Sequence, residues 1–267
     1  MKLSVILLTW NSVKHIEKCL ESIYNNICCI DFEVILVDNG SNDNTLEIVF
    51  KKFPKVIVIE NANNRGVAPA RNQGICVSRG EYILLLDTDA QLCTDVIDKL
   101  LETIEQNNNV GICGPRLIFP DGTVQNSCRK FPLLFTKFIR RIDFKWVQRF
   151  LKNEYYVEKM KFQSSFYVDY VIGACQMLRR RALEEVGILD DKIFYGPEDV
   201  DLCLRMWLKG WKVLYTQSAS VIHYEQRITK AKFFSKLTFI HIKGLIYYFV
   251  KHRYCFSRKG LYKSINS

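Results

Sequence analysis

The first hundred residues alternate between short apolar runs and segments whose apolar residues recur every three or four positions. The apolar runs lie at residues 3–8, 32–37, 56–59 and 82–86. Continuous apolar runs of this length are typical of parallel strands buried on both faces, and the three- and four-residue spacing predicts amphipathic helices between them. The alternation therefore predicts an α/β fold with a mostly parallel central sheet flanked by helices.

Polar side chains follow these predicted strands at the points where the strands end. They are Thr9, Asn11, Asp38, Asp87 and Asp89. The carboxyl ends of parallel strands lie at one edge of a sheet, where open α/β folds bind ligands. Asp87 and Asp89 offer the oxygen ligands that Mg²⁺ or Mn²⁺ prefers, and such ions commonly bridge to substrate phosphates. The alternatives are a helix cap at Asp87–Asp89 and an ordinary turn after Asp38.

Two common phosphate-binding loops are missing from the chain, since it contains neither G-x-G-x-x-G nor GxxxxGK[ST]. A dinucleotide-binding or P-loop protein would need one of them. A metal held by carboxylates, together with Arg65 or Arg71, can neutralise a diphosphate instead.

The second half of the chain contains a further acidic cluster, in the sequence GPEDVDLCL at residues 196–204. Pro197 fits the first position of a helix, which places Glu198, Asp199 and Asp201 in its first turn. Acids are ordinary there, because the helix dipole favours each by about 0.3–1 kcal/mol. Three of them exceed what a cap needs, and His223 downstream could join carboxylates in a Mn²⁺ or Mg²⁺ site.

The other predicted elements of this half are a hairpin, two strands and a final helix. The hairpin turns at Pro120-Asp121-Gly122 between residues 116–119 and 123–125, and the strands are residues 170–178 and 211–215. The helix, within residues 229–254, places one apolar set on a single face: Phe233, Leu237, Ile240, Gly244 and Tyr247. A helix rich in lysine and aromatics fits a membrane-surface anchor, and a helix packed on the domain fits the pattern equally well.

The net charge of +10 is unevenly distributed along the 267 residues. Residues 129–161 hold ten Lys or Arg against three Asp or Glu, residues 223–267 hold ten against one, and the remainder is mildly acidic. Such basic segments bind anionic membrane surfaces or nucleic acid. Nucleic acid is not expected, because the chain has no zinc-finger, RNP-like or helix-turn-helix signature.

Composition narrows the class of protein further. A hydrophobic content of 48% supports a folded core rather than disorder. The ten cysteines include no C-x-x-C pair, which favours reduced thiols in a cytosolic protein over a disulfide framework or a zinc site. We expect no signal peptide, because the apolar run at residues 3–8 is short and no small-residue cleavage site follows it. We expect no membrane span, because no apolar run reaches about 18 residues.

In their order and spacing, the motifs resemble those of the family two inverting glycosyltransferases, which have the type A glycosyltransferase fold. The motifs are VILLTWN at residues 5–11, VDNGSND at 37–43, NRGVAPARNQGI at 64–75, DTDA at 87–90, GAC at 173–175 and EDVDLCLRMWLKGWKVLYT at 198–216, followed by His223. The chain is most similar to the rhamnosyltransferase-like branch. The resemblance extends from residue 4 to about residue 254.

The resemblance implies roles for individual residues. Asp38 would contact the nucleobase, Thr9 and Asn11 would line the nucleotide pocket, and Asp87 and Asp89 would form the DxD motif. Asp89 would be the more direct metal contact, and His223 would complete the metal environment. Asp199 would be the catalytic base, with Glu198 and Asp201 supporting it.

We therefore expect a metal-dependent inverting glycosyltransferase at residues 1–225, with a nucleotide-binding half at 1–110 and an acceptor and catalytic-base half at 111–225. A basic amphipathic helical segment would follow at 226–267. The donor would be a dTDP- or UDP-sugar carrying rhamnose or another hexose. The acceptor would be a glycan or a polyprenyl-diphosphate-linked glycan in cell-surface polysaccharide synthesis. The protein would be cytoplasmic and peripheral on the inner face of the cell membrane. The alternative is a non-catalytic nucleotide-sugar or membrane-binding protein on the same fold.

Overall fold

The computed structural model describes residues 1–27, 29–139, 154–156, 159, 164–225 and 236–266. The strands are β1 (Leu3–Thr9), β2 (Phe32–Asp38), β3 (Ile57–Glu60), β4 (Tyr82–Asp87), β5 (Ala90–Leu92), β6 (Val110–Ile118), β7 (Cys128–Arg129), β8 (Ser165–Tyr167), β9 (Tyr170–Val171), β10 (Cys175–Arg179) and β11 (Lys212–His223). The helices are α1 (Ile16–Asn26), α2 (Thr45–Lys52), α3 (Val67–Val77), α4 (Val96–Glu105), α5 (Leu134–Ile139), α6 (Arg180–Val186), α7 (Glu198–Leu208), α8 (Lys236–His252) and α9 (Lys259–Asn266).

A central sheet joins strands from both predicted halves of the chain. Its order is β3-β2-β1-β4-β10-β6-β11-β5, and β8 pairs with β11. The strands β1, β2, β3, β4, β6 and β11 run in one direction, whereas β10, β5 and β8 run antiparallel to their neighbours. The predicted mostly parallel sheet flanked by helices is therefore confirmed.

The order of the strands locates the ligand-binding edge. From β1 the chain builds outward to β2 and β3 on one side, and β4 then pairs with β1 on the other side. Ligands bind outside the carboxyl ends of strands at such a reversal. The register sets Thr9 opposite Asp38 and Leu8 opposite Asp87, so the predicted polar residues lie at this edge.

Helices cover both faces of the sheet, which explains the uninterrupted apolar runs. Alternate residues of β4 join different cores: Leu84 and Leu86 pack with α1 and α4, whereas Ile83 and Leu85 pack with α3, α6 and α7. This alternation follows from the two-residue period of a strand. Because neither face meets solvent, apolar residues occupy both sets of positions.

The structure corrects two predicted elements. Residues 170–178 are not a single strand, because the chain turns at Gly173 between β9, in a separate pair with β7, and the antiparallel β10. Pro197 precedes α7 rather than occupying its first position. The predicted strand at 211–215 is longer, since β11 reaches His223, and the predicted hairpin is confirmed by the Ile118–Val124 bridge.

The helix α8 packs on the domain through a face that includes Gly244 of the predicted set, which lies against Gly196. Leu245, Tyr248 and Phe249 are buried in the same core as α7, whereas Ile240 and Tyr247 are only partly buried. Phe233 and most of the predicted basic segment at 129–161 lie outside the described residues. Among the helices that are described, none combines the length and the apolar character of a membrane span.

Candidate active site

Asp87, Asp89 and His223 form a compact cluster at the carboxyl edge of the sheet. Each offers a ligand atom within 4.8 Å of the others, and Nε2 of His223 lies 3.5 Å from Oδ1 of Asp89. β4 ends at Asp87, and His223 arrives on β11, which pairs with the segment after Asp89. Burial alone would lower the pKa of His223, but the carboxylates of Asp89 and Asp87 outweigh it and raise that pKa. The cluster therefore favours positive charge.

Gln125 fixes the orientation of the His223 ring. Its Nε2 donates to the His223 carbonyl oxygen at 2.7 Å, so its Oε1 is the atom that faces Nδ1 of the ring at 2.9 Å. Because Oε1 can only accept, Nδ1 must carry the proton. The neutral ring then presents the lone pair of Nε2 to the two carboxylates, as a metal-ligating histidine does. Two carboxylates and an oriented imidazole fit Mg²⁺ or Mn²⁺.

Arg71 connects the Asp87–Asp89–His223 cluster with the acidic cluster at the start of α7. It is buried on α3, and its guanidinium donates both to the Asp87 carboxylate and to the Gly173 carbonyl oxygen. The Gly173 N–H in turn donates to Oδ2 of Asp199 at 3.0 Å. The turn that breaks the predicted strand 170–178 therefore has a use, since it supplies a carbonyl to Arg71 and an N–H to Asp199. Arg71, one of the two arginines expected to help neutralise a diphosphate, pairs here with the Asp87 carboxylate.

Glu198 and Asp199 lie side by side at the start of α7 in different environments. Asp199 is partly exposed, and its Oδ1 accepts from the Val200 N–H at 2.8 Å. Glu198 is buried, and its Oε2 has no hydrogen-bond partner among the described residues. Burial, together with the charge of Asp199, raises the pKa of Glu198 to about 7.

Asp201 points away from the other two acids. It is fully buried and pairs with Arg205 at 2.8 Å, Lys251 at 2.7 Å and His252 at 2.8 Å. The hydrogen bond from His252 and the charges of Arg205 and Lys251 overcome the effect of burial and hold the pKa of Asp201 well below its usual range. Asp201 therefore fastens α8 to α7 and does not touch the carboxylate of Asp199 that it was expected to support.

The residues predicted to bind the nucleotide shape the loops at the sheet edge. Asp38 is buried, and its Oδ2 accepts from the N–H groups of Gly40 and Ser41, while its Oδ1 is unpaired among the described residues. The hydroxyl of Thr9 is likewise buried and unpaired there. Asn11 accepts from the N–H of Asn42, which ties the loop after β1 to the loop after β2. The turn predicted after Asp38 is therefore present, while the nucleotide contact of Asp38 stays a prediction.

Two adjoining cavities open at this edge. The loop cavity, of about 380 Å³, is lined by Trp10, Ser12, Asn39, Asn64, Thr88, Asp89, Phe194 and neighbouring residues. The helix cavity, of about 330 Å³, is lined by Arg71, Arg129, Glu198, Asp199, His241 and neighbouring residues. Val67, Asp87, Tyr195 and His223 line both. The Asp87–Asp89–His223 cluster therefore lies at the junction between the cavity that holds Asp89 and the cavity that holds Asp199.

Several lining residues were missed by the sequence reasoning. Trp10, half exposed, and Asn39 border the loop cavity, whereas their predicted neighbours Thr9, Asn11, Asp38 and Arg65 are not among its lining residues. Asn39 holds the following loop by accepting from the Arg65 N–H at 2.9 Å. A polar or aromatic residue just past a strand end was the available signal for Trp10 and Asn39. Gln125, which contacts His223, and His241, which lines the helix cavity, do not follow a predicted strand and had no such signal.

Comparison with known proteins places the chain in a family. The family described as Glycosyl transferase family 2 matches residues 4–187, which confirms the family predicted from the motifs. N-acetylglucosaminyl-diphospho-decaprenol L-rhamnosyltransferase of Mycobacterium tuberculosis is 29% identical over 240 residues, which are 85% of this chain and 77% of that protein. Glycosyltransferase GlyG of Streptococcus pneumoniae is 34% identical over 113 residues, 40% of this chain and 36% of that protein.

Solved structures share the fold. The mannosyltransferase PcManGT of Pyrobaculum calidifontis, in complex with GDP-Man and Mn²⁺, aligns over 99% of this chain with a TM-score of 0.66 at 21% identity. GalNAc-T7 with UDP, GalNAc and Mn²⁺ aligns over 83% with a TM-score of 0.64 at 16% identity. The chain spans 67% and 43% of those two chains. At these identities the likeness concerns the fold alone.

Proposed function

Because the chain belongs to glycosyl transferase family 2, we propose that it is an inverting, metal-dependent glycosyltransferase that uses a nucleoside-diphosphate sugar. One observation carries the proposal: the Asp87–Asp89–His223 cluster lies between two cavities, and the second cavity contains the Asp199 carboxylate. A donor bound in the loop cavity would have its diphosphate at the cluster and its sugar directed toward the helix cavity. An acceptor hydroxyl there would approach the anomeric carbon beside Asp199.

The loop cavity suits a nucleoside. Trp10 offers an aromatic face for the base. The buried oxygens of Asp38 and Thr9 that lack a partner among the described residues lie at the ends of the adjoining strands β2 and β1. Asp87, Asp89 and His223 would hold Mg²⁺ or Mn²⁺. When bound, such an ion stabilises the negative charge of the departing diphosphate. We expect a UDP- or dTDP-sugar, with rhamnose or another hexose as the sugar.

Asp199 is the proposed general base. The acceptor oxygen forms a bond to the anomeric carbon, the bond from that carbon to the diphosphate oxygen breaks, and the hydroxyl proton passes to the Asp199 carboxylate. Displacement from the opposite side inverts the anomeric configuration. The N–H of Gly173 and the amino-terminal end of α7 stabilise the ionised carboxylate before it takes the proton.

The proposed acceptor is a glycan carried on a polyprenyl diphosphate. The M. tuberculosis relative carries such a lipid in its name, and the helix cavity here has Arg129 and His241 in its lining. The cationic Arg129 side chain suits an acceptor that bears negative charge near the reacting sugar. We therefore expect the protein to act in cell-surface polysaccharide synthesis, at the cytoplasmic face of a membrane.

Two variants separate binding from chemistry. In Asp199→Asn, turnover of donor and acceptor should fall about 10²–10⁴-fold while Mn²⁺-dependent stabilisation by the nucleotide sugar persists. In Asp89→Asn, the stabilisation should itself weaken, because a metal ligand is lost. Thermal unfolding across a panel of nucleotide sugars, followed by transfer assays, measures both. Wild-type turnover in Asp199→Asn would remove Asp199 from its role. Donor binding without any transfer by the wild type would favour the non-catalytic alternative.

A further inference from the structure

We infer that the exposed face of α8 docks the protein on an anionic lipid bilayer. The helix has two apolar sides. One is buried against α7 and includes Leu245, Tyr248 and Phe249. The other, here called the apolar stripe, consists of Phe239, Ile242, Ile246 and Val250, with exposed fractions between 38% and 71%.

The stripe is a continuous feature of the helix rather than a set of scattered residues. Its members are spaced by three, four and four positions, which places them on one side of the helix over about 16 Å of its length. Single exposed apolar residues are normal on a protein surface, but an aligned row marks an interaction site. A helix already held by its opposite face can present this row without needing it for folding.

The positive charge around the apolar stripe favours an anionic lipid surface as its partner. Residues 226–267 contain ten Lys or Arg and no Asp or Glu. Lys243, beside the stripe, is exposed, and so are Arg253, Lys259 and Lys263 further along. Anionic headgroups complement such a surface, while the acyl boundary receives the apolar row. A second copy of the chain would instead bring the same unbalanced positive charge against it, and a nucleic acid would leave the apolar row uncovered.

The position of α8 links this surface to the two cavities. His241 lines the helix cavity and Leu237 lines the loop cavity, and both lie on the helix that carries the stripe. A bilayer at the stripe is therefore separated from the cavity rim by about the width of one helix, roughly 10 Å. A sugar attached to a membrane lipid through a diphosphate can reach the cavity across that distance. This consequence for the acceptor rests on the proposed function, whereas the docking itself does not.

The test compares two matched double variants. Phe239→Gln with Ile246→Gln alters the stripe, and Phe50→Gln with Val77→Gln alters one exposed phenylalanine and one exposed aliphatic residue on α2 and α3. Sedimentation with vesicles of phosphatidylglycerol and phosphatidylcholine, without donor or acceptor, measures binding. The stripe variant should bind at least about tenfold more weakly, and the control should bind like the wild type. Lys243→Glu should weaken binding to these vesicles, and wild-type binding should decline as salt rises.

The same experiment contains the outcomes that overturn the inference. Equal vesicle binding by the two double variants would do so, as would a wild-type protein that ignores the vesicles. Light scattering tests for another such outcome, a dimer that forms as the wild-type concentration rises and that is absent in the stripe variant. That result would mean that the apolar stripe binds a second copy of the chain. Thermal unfolding of both variants checks that the fold is intact. A wild-type protein that does not bind the vesicles, yet binds donor and transfers sugar, would refute only this inference. Docking without any donor binding would refute only the proposed function.

Discussion

The two acidic clusters of the site are built on different backbones, and the difference decides where their carboxylates point. Asp87 ends β4, and Asp89 lies two residues further on, in the turn that leads into β5, whose Ala90 pairs with His223. Their carboxylates therefore meet in one group with His223. Glu198, Asp199 and Asp201 lie in the first turn of a helix, where successive residues are rotated by about 100°.

The helical acids accordingly reach three environments. Asp199 faces the helix cavity with two backbone N–H partners. Glu198 is buried, with one oxygen unpaired among the described residues. Asp201 is enclosed by basic side chains from α7 and α8. The carboxylates at the strand end lie together, where they can bind one cation. The carboxylates at the start of the helix point in different directions and have different partners. Substitutions in the two clusters should therefore fail in different ways.

The largest effect on stability is expected at Asp201. Asp201→Asn keeps the size of the side chain but leaves Arg205, Lys251 and His252 without their shared carboxylate. Breaking a buried ion-pair network of this kind costs about 3–5 kcal/mol of unfolding free energy. Denaturant unfolding measures the loss. Glu81→Gln, in an exposed pair with Lys2, is the control and should change stability by less than about 1 kcal/mol. A similar small change at Asp201 would mean that the network does not hold α8.

Glu198 should give the opposite pH dependence from Asp201. Its pKa is raised from 4.5 to about 7 in the folded chain, so between these values the folded state holds a proton that the unfolded state has lost. The unfolding free energy contributed by Glu198 should therefore fall as pH rises from 4.5 through 7, by about 3 kcal/mol. The pKa of Asp201 is lowered, so its contribution is present above its unfolded value of 3.8 and is lost as pH falls.

Unfolding by denaturant at pH 5 and pH 8, in metal-free buffer, measures the Glu198 effect. Glu198→Gln should remove the extra loss of stability between the two pH values. Asp199→Asn should reduce it, because the charge of Asp199 contributes to the raised pKa. The same pH slope in wild type and Glu198→Gln would show that Glu198 is not the buried titrating group.

The parts of the fold that sequence predicts well are those with a local signal. The buried strands β1, β2 and β4 are continuous apolar runs, and the acids at their ends follow directly in the chain. The direction of β10 has no such signal, because a strand buried on both faces has the same apolar composition whether it runs parallel or antiparallel. The apolar arc of α8 is wide enough to cover two faces, so its pattern did not determine which face meets the domain.

The residues of the site show the same contrast between features with a local sequence signal and features without one. Asp87, Asp89 and Asp199 stand in recognisable motifs, and the structure brings them to one pair of cavities together with His223. The separate task of Asp201 depends on Lys251 and His252, fifty residues further along the chain. The role of Gln125 depends on a contact with His223 across 98 residues. A contact of this separation leaves no trace in local spacing, so only the folded chain reveals it.

A substitution of Gln125 tests the cluster at the strand end. Of the substitutions discussed, it is expected to have the smallest effect. Gln125→Met preserves the approximate volume but removes the acceptor that holds the proton on Nδ1 of His223. The ring is then free to adopt the tautomer that protonates Nε2, which opposes metal binding. Loss of such an orienting partner weakens metal affinity by about 10–100-fold. Titration of the protein with Mn²⁺, followed by calorimetry without any sugar substrate, gives the affinity directly.

Gln176→Met provides the matched control, because Gln176 is also buried and its amide donates to a backbone carbonyl, at Val171. That variant should lose some stability yet keep Mn²⁺ affinity within about twofold, since it leaves the His223 ring untouched. If both variants bound Mn²⁺ like the wild type, the cluster would not need its histidine oriented, and the two carboxylates would carry the affinity alone. A selective loss in Gln125→Met would instead show that the strand-end cluster depends on a residue supplied by the distant half of the chain, as the helix cluster depends on α8.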